Sequence, residues 1–136
     1  MKTYIIGFFI TILTTLALDA VWLTTMMKTF YSKHLGHIFA DKPSLVPALI
    51  FYILYAIGLL YFVIVPLIAS GSSLTRVFFT AALLGLVAYG TYDLTNQATV
   101  KDWPVIVTVV DLIWGAFLTG TTATITVWII RLLNII

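Results

Sequence analysis

Apolar residues run in four long blocks along the chain, separated by short clusters of polar, Gly and Pro residues. The blocks extend from Tyr4 to about Met27, Leu45 to Ala69, Leu74 to about Ala98, and Val105 to about Val127. Each reaches the roughly 20 residues that a helix needs to cross a ~30 Å hydrocarbon core. The fourth pattern runs on through Trp128 and Arg131 toward Ile136, with an aromatic and a cation where the far interface should fall. Ser70-Gly71-Ser72-Ser73 parts the second block from the third, and Lys101-Asp102-Trp103-Pro104 the third from the fourth. The one sizeable polar stretch is Lys28–Ser44, where Phe30, Tyr31, Leu35, Ile38 and Phe39 recur at roughly helical spacing. The pattern predicts an all-α integral membrane protein of one domain over residues 1–136. Its expected architecture is a four-helix up-down-up-down bundle with a short interfacial helix between spans one and two. Both termini then fall on one side.

Composition strengthens that assignment. Of 136 residues, 62% are hydrophobic and 9% charged, where a soluble domain carries about 25% charged residues. A chain this short cannot bury so much apolar surface in its own core, so lipid must serve as part of the solvent. The first block, with Lys2 ahead of it, has some features of a signal peptide. Asp19 and Trp22 stand where a cleavage region would fall, which favours a retained helix. Net charge is +2 with no basic run, which argues against nucleic acid as a partner. There is no Cys, and every acid is an Asp.

Three of those acids lie inside the apolar blocks: Asp19, Asp93 and Asp111. Counted from the span ends, each falls roughly 8–11 Å inside the same membrane face. Helical spacing also groups the polar positions. Thr11, Thr15, Asp19 and Trp22 form one stripe, Gly85, Tyr89, Asp93 and Asn96 a second, and Thr108, Asp111, Gly115, Thr119, Thr122 and Thr126 a third. Polar stripes facing lipid would be left unpaired, so these should face one another. Asp19-x-x-Trp22 and Asp111-x-x-Trp114 repeat one spacing. A charged Asp at a helix centre in the bilayer costs about 2.5–3.5 kcal/mol, less near the interface. Such groups therefore need donors, a cation, water or a proton, and at least one of the three is expected to hold a proton near neutral pH. Candidate donors are Trp22, Trp103, Trp114, Tyr89, Tyr92, Asn96 and Gln97.

Each candidate also has a plainer reading. The aspartates could pin helix packing through a polar network. The tryptophans, Trp103 above all, could belong to an interface belt, and Asn96 and Gln97 could close the third helix. His34, His37 and Asp41 have the spacing of a helical metal face, but in a polar loop they are more simply solvated side chains, and no metal site is assigned. The tyrosines of the second span read as core or lipid-facing scaffold.

The segments Leu18-Asp19-x-x-Trp22-Leu23, Tyr92-Asp93-Leu94-Thr95-Asn96, Trp103-Pro104 and Asp111-x-x-Trp114-Gly115 resemble the DUF2177 family of small bacterial membrane proteins, over nearly the whole chain. The resemblance implies a multi-pass protein of a bacterial inner membrane. The family's function is unknown, so it supplies neither an activity nor catalytic residues. The residues themselves point to an intramembrane polar pocket built from Asp19, Trp22, Tyr89, Asp93, Asn96, Trp103, Asp111 and Trp114. The expected ligand is a lipid or lipophilic small molecule. If the site is an enzyme's, a protonated Asp would serve as acid and an ionised one as base. The alternatives are a proton- or cation-coupled transporter, which with four spans would need to dimerise, and a non-catalytic accessory subunit. The sequence leaves any cofactor unknown.

Overall fold

The computed structural model describes residues 2–134. Helix α1 (Lys2–Met26) continues through a π turn (Met27–Tyr31), a short α2 (Ser32–Leu35) and a 3-10 turn (Gly36–Ile38). Helix α3 (Leu45–Leu59) passes through a second π turn (Leu60–Ile64) into α4 (Val65–Ala69). Helices α5 (Leu74–Thr99) and α6 (Val105–Leu132) follow. Among the described residues there is no strand, and the four helical stretches Lys2–Ile38, Leu45–Ala69, Leu74–Thr99 and Val105–Leu132 are long and apolar enough to cross a membrane. The chain is an all-α, multi-pass bundle. The helix between the first two spans is present and is joined to α1 without a break.

The first π turn has a geometric consequence. Buried positions on α1 recur every fourth residue, at Gly7, Thr11, Thr15 and Asp19. In an uninterrupted α-helix, position 30 would lie about three turns beyond Asp19 on the same face. The π turn takes up one extra residue, so Tyr31 and then Leu35 turn inward instead. The second π turn stands just before Pro66. The ring of Pro66 would meet the carbonyl of residue 62 in a regular helix, and that carbonyl lies inside the π turn.

Helices α5 and α6 form a tight antiparallel hairpin. A Cβ on Gly85 would stand 2.2 Å from both the Gly115 carbonyl oxygen and Thr119 Oγ1, and one on Gly115 would stand 2.3 Å from the Tyr89 ring. Gly120 meets the Phe78 ring in the same way, at 2.8 Å. Without a hydrophobic drive between helices in lipid, such close approach is what secures packing. Helix α1 lies against α6, where Thr11 and Thr126 hydroxyls are 3.3 Å apart.

Near the termini the interior is apolar, with Leu59, Ile64, Val77, Ala81, Val127 and Ile130 in one cluster. Arg131 Nη2 donates to the Ser72 carbonyl at 2.7 Å, tying the end of α6 to the α4–α5 turn. A smaller cluster of Tyr31, Leu35, Trp103 and Val107 closes the opposite end. The start of α3 packs against little, since Leu45, Val46, Leu49 and Ile50 are exposed. A cleft therefore remains among α1, α3, α5 and α6, between the two clusters.

Candidate functional site

The cleft has a volume of about 280 Å³ and is lined by Asp19, Trp22, Leu23, Met27, Tyr31, Leu35, Phe39, Phe51, Tyr52, Tyr89, Tyr92, Asp111 and Trp114. A groove of about 440 Å³ nearer the termini, lined by residues including Tyr4, Phe8, Leu60 and Tyr61, has almost no polar lining. Convergent polar groups in an apolar wall distinguish a binding site from a lipid-facing groove, so the acidic cleft is the candidate.

Asp19 accepts two hydrogen bonds in the cleft wall. Trp114 Nε1 donates to its Oδ1 at 3.0 Å and the Tyr52 hydroxyl to its Oδ2 at 2.9 Å. Asp111 Oδ1 accepts from the Tyr31 hydroxyl, which itself accepts from Trp22 Nε1 at 3.0 Å. The indoles of Trp22 and Trp114 lie parallel, with ring centroids 4.2 Å apart and planes 6° from coplanar. The two Asp-x-x-Trp motifs are thus used crosswise on antiparallel helices. Each tryptophan serves the acid of the other motif, Trp114 directly and Trp22 through Tyr31.

Stacked indoles couple electronically, and this gives a direct test. Trp22→Phe and Trp114→Phe should each abolish an exciton feature in the circular dichroism spectrum. Its persistence in either variant would mean the stack does not form.

Asp93 does not line the cleft. It is 0% exposed, no hydroxyl, amide or indole reaches its oxygens, and the one polar group within bonding reach is the Asp111 carboxyl, to which it bonds only when one of the two holds a proton. Counting residues from the span ends puts all three acids at one depth, but the packing register separates them. The Thr11–Thr126 contact and the Trp22–Trp114 stack set Asp19 opposite the neighbourhood of Leu118 on α6. That is about seven residues from Asp111, or about 10 Å along the helix. Asp93 and Asp111 share a level, whereas Asp19 sits deeper toward the terminal side.

Among the other candidates, Tyr89 lines the cleft, while Asn96 is half-buried and outside its lining. Trp103 is buried in the end cluster, where its Nε1 donates to Thr108 Oγ1 at 3.1 Å rather than to an acid. His34 Nδ1 donates to the Phe30 carbonyl at 2.9 Å, and Asp41 lies beyond the helical turns in irregular chain. The threonine stripe of α6 faces inward. Thr119 is paired with the Tyr55 hydroxyl, and Thr122 Oγ1 is buried without a partner.

A family model described as "Predicted membrane protein (DUF2177)" matches residues 4–128. The chain belongs to the DUF2177 family. No curated protein and no solved structure matches it. In this DUF2177 chain, the polar residues that spacing overlooked are Tyr31 and Tyr52. Tyr31 is re-phased by a π turn that periodicity cannot register. Tyr52 did carry a signal, because a phenol in an otherwise uncharged span needs a hydrogen-bond partner. The reading of the second span as plain scaffold is corrected by its bond to Asp19.

Proposed function

We propose that the cleft binds a lipid or lipophilic small molecule, held at its polar end by Asp111 and Asp19 and along its body by aromatic walls. The observation that carries this reading is the crosswise network. Two carboxyls in a membrane-spanning bundle are held in fixed positions by neutral donors, and both border one cleft. Intramembrane acids are expensive and usually mark a site or a pathway, and ordering them through tryptophan and tyrosine fixes their geometry before a ligand arrives. We take the setting to be a bacterial inner membrane, on the motif resemblance.

Native mass spectrometry of the protein released from lipid nanodiscs tests the proposal. The wild type should retain a bound small molecule that Asp111→Asn and Asp19→Asn lose. An identical adduct at equal occupancy in all three would overturn it.

A proton- or cation-coupled transporter is the second reading. It draws on Asp93, whose buried carboxyl behind Asp111 is the kind of group that takes up and releases a proton. Against it stands the apolar cluster beneath the cleft, where Ile64, Val77, Val127 and Ile130 fill the interior toward the termini. An acid-driven flux across liposomes that Asp93→Asn abolishes would favour it over simple binding.

A further inference from the structure

The charge of the cleft has no internal counterpart. Its lining includes Asp19 and Asp111 and contains no Lys, Arg or His. The partners of both acids are neutral: an indole and a phenol for Asp19, a phenol for Asp111. Each donates a hydrogen bond without supplying a positive charge, so an ionised carboxylate there stays electrostatically uncompensated. Behind Asp111 lies the third acid, Asp93, wholly buried, with only the Asp111 carboxyl within bonding reach. It brings no positive charge to the site. Trp22, Tyr52, Tyr89, Tyr92, Phe51 and Trp114 stand in the walls, and a ring that presents its face offers the negative pole of its quadrupole. Acids and rings therefore bias the cleft in the same electrostatic direction.

Ligand chemistry follows from that bias. An anionic head, such as a bare phosphate or carboxylate, would meet two acids and no basic group. A hard divalent metal wants six or more oxygen ligands, and among the described residues no cluster of three ligating side chains exists. An organic cation meets both features at once. Its charge is attracted by the carboxylates, and its carbon-bound hydrogens suit aromatic faces, which contribute about 0.5–2 kcal/mol per cation–π contact. We propose that the cleft takes a cationic nitrogen, a primary or quaternary ammonium group, carried on an apolar body. This deepens the binding reading above and rests on it.

The test uses benzyltrimethylammonium and its uncharged isostere neopentylbenzene, which differ only in nitrogen for carbon. The full-length protein is held in nanodiscs of phosphatidylglycerol, with empty discs as the control, and binding is followed by tryptophan fluorescence, to which Trp22 and Trp114 in the cleft wall contribute beside Trp103 and Trp128. The ammonium should give a saturable response, weakened about tenfold or more in Asp111→Asn, with the isostere binding at least that much more weakly than the cation. Asp111→Asn keeps an acceptor for Tyr31, and an unchanged circular dichroism spectrum confirms its fold. A response to the isostere equal to that of the ammonium would overturn the proposal. So would a response that neither Asp111→Asn nor Asp19→Asn changes. If either result comes with a native adduct that the variants lose, the cleft reading stands and only the cationic class falls. If the adduct is also insensitive, both fall. Adding phosphatidylethanolamine to the discs then identifies the source. A raised apparent Kd for the ammonium supports a lipid amine headgroup, and an unchanged one supports a separate amphiphilic cation.

Discussion

Gly85→Ala should destabilise the protein by about 3 kcal/mol or more, while Gly58→Ala should leave it unchanged or slightly more stable. Both glycines lie inside helices, so alanine raises intrinsic helix propensity at each by about 0.5–1 kcal/mol. Their surroundings differ. At Gly58 nothing stands within 4 Å of a new Cβ. At Gly85 the new carbon would stand 2.2 Å from the Gly115 carbonyl oxygen, a backbone atom of the facing helix, and as close to Thr119 Oγ1. A backbone atom cannot rotate aside, so α5 and α6 must separate, and overpacking of this severity lies at or above the usual 1–3 kcal/mol. Separation would also disturb Thr119, which bonds the Gly115 carbonyl and pairs with Tyr55. Thermal melting in one detergent decides the matter. Equal midpoints for the two variants would mean that the helices do not meet as closely as described.

Asp19→Asn and Asp93→Asn, the same near-isosteric change, should move stability in opposite directions. Asp19 uses one oxygen for the Trp114 indole and the other for the Tyr52 hydroxyl. An amide offers one acceptor, and its NH2 would confront a donor, so the loss should be about 1–2 kcal/mol, near the upper range of intramembrane hydrogen bonds. Asp93 has no such partners. Removing the capacity for charge from a fully buried carboxyl beside Asp111 relieves desolvation and repulsion, and the midpoint should rise by an amount equivalent to about 1 kcal/mol. Parallel melting curves show the sign of each change, and a fall for Asp93→Asn equal to that for Asp19→Asn would mean that Asp93 is a structural hydrogen-bonding residue. A carboxyl that lowers stability where it stands has the character of a site residue.

Much of the fold could be read from spacing alone. Four apolar blocks of spanning length, bounded by turn residues, leave few alternatives once lipid is the solvent, because an unpaired backbone in hydrocarbon forces helices. Stripes at helical period pointed inward for the same reason, and Thr11, Thr15, Asp19, Thr119 and Thr126 are buried. The repeated Asp-x-x-Trp spacing was also visible. The use of each tryptophan by the opposite acid was not visible, because that depends on the register between α1 and α6.

The apolar blocks and the acids within them determined that this chain is a membrane bundle with costly polar groups inside, since hydrophobic length and helical period are local properties of sequence. Tertiary structure decided the rest. A π turn that absorbs one extra residue brings Tyr31 rather than Phe30 to Asp111, and the antiparallel register separates Asp19 from the Asp93–Asp111 level. Which acids border open space and which is sealed behind them is likewise decided by how helices far apart in sequence lie against one another, and the period within any one helix carries no record of that.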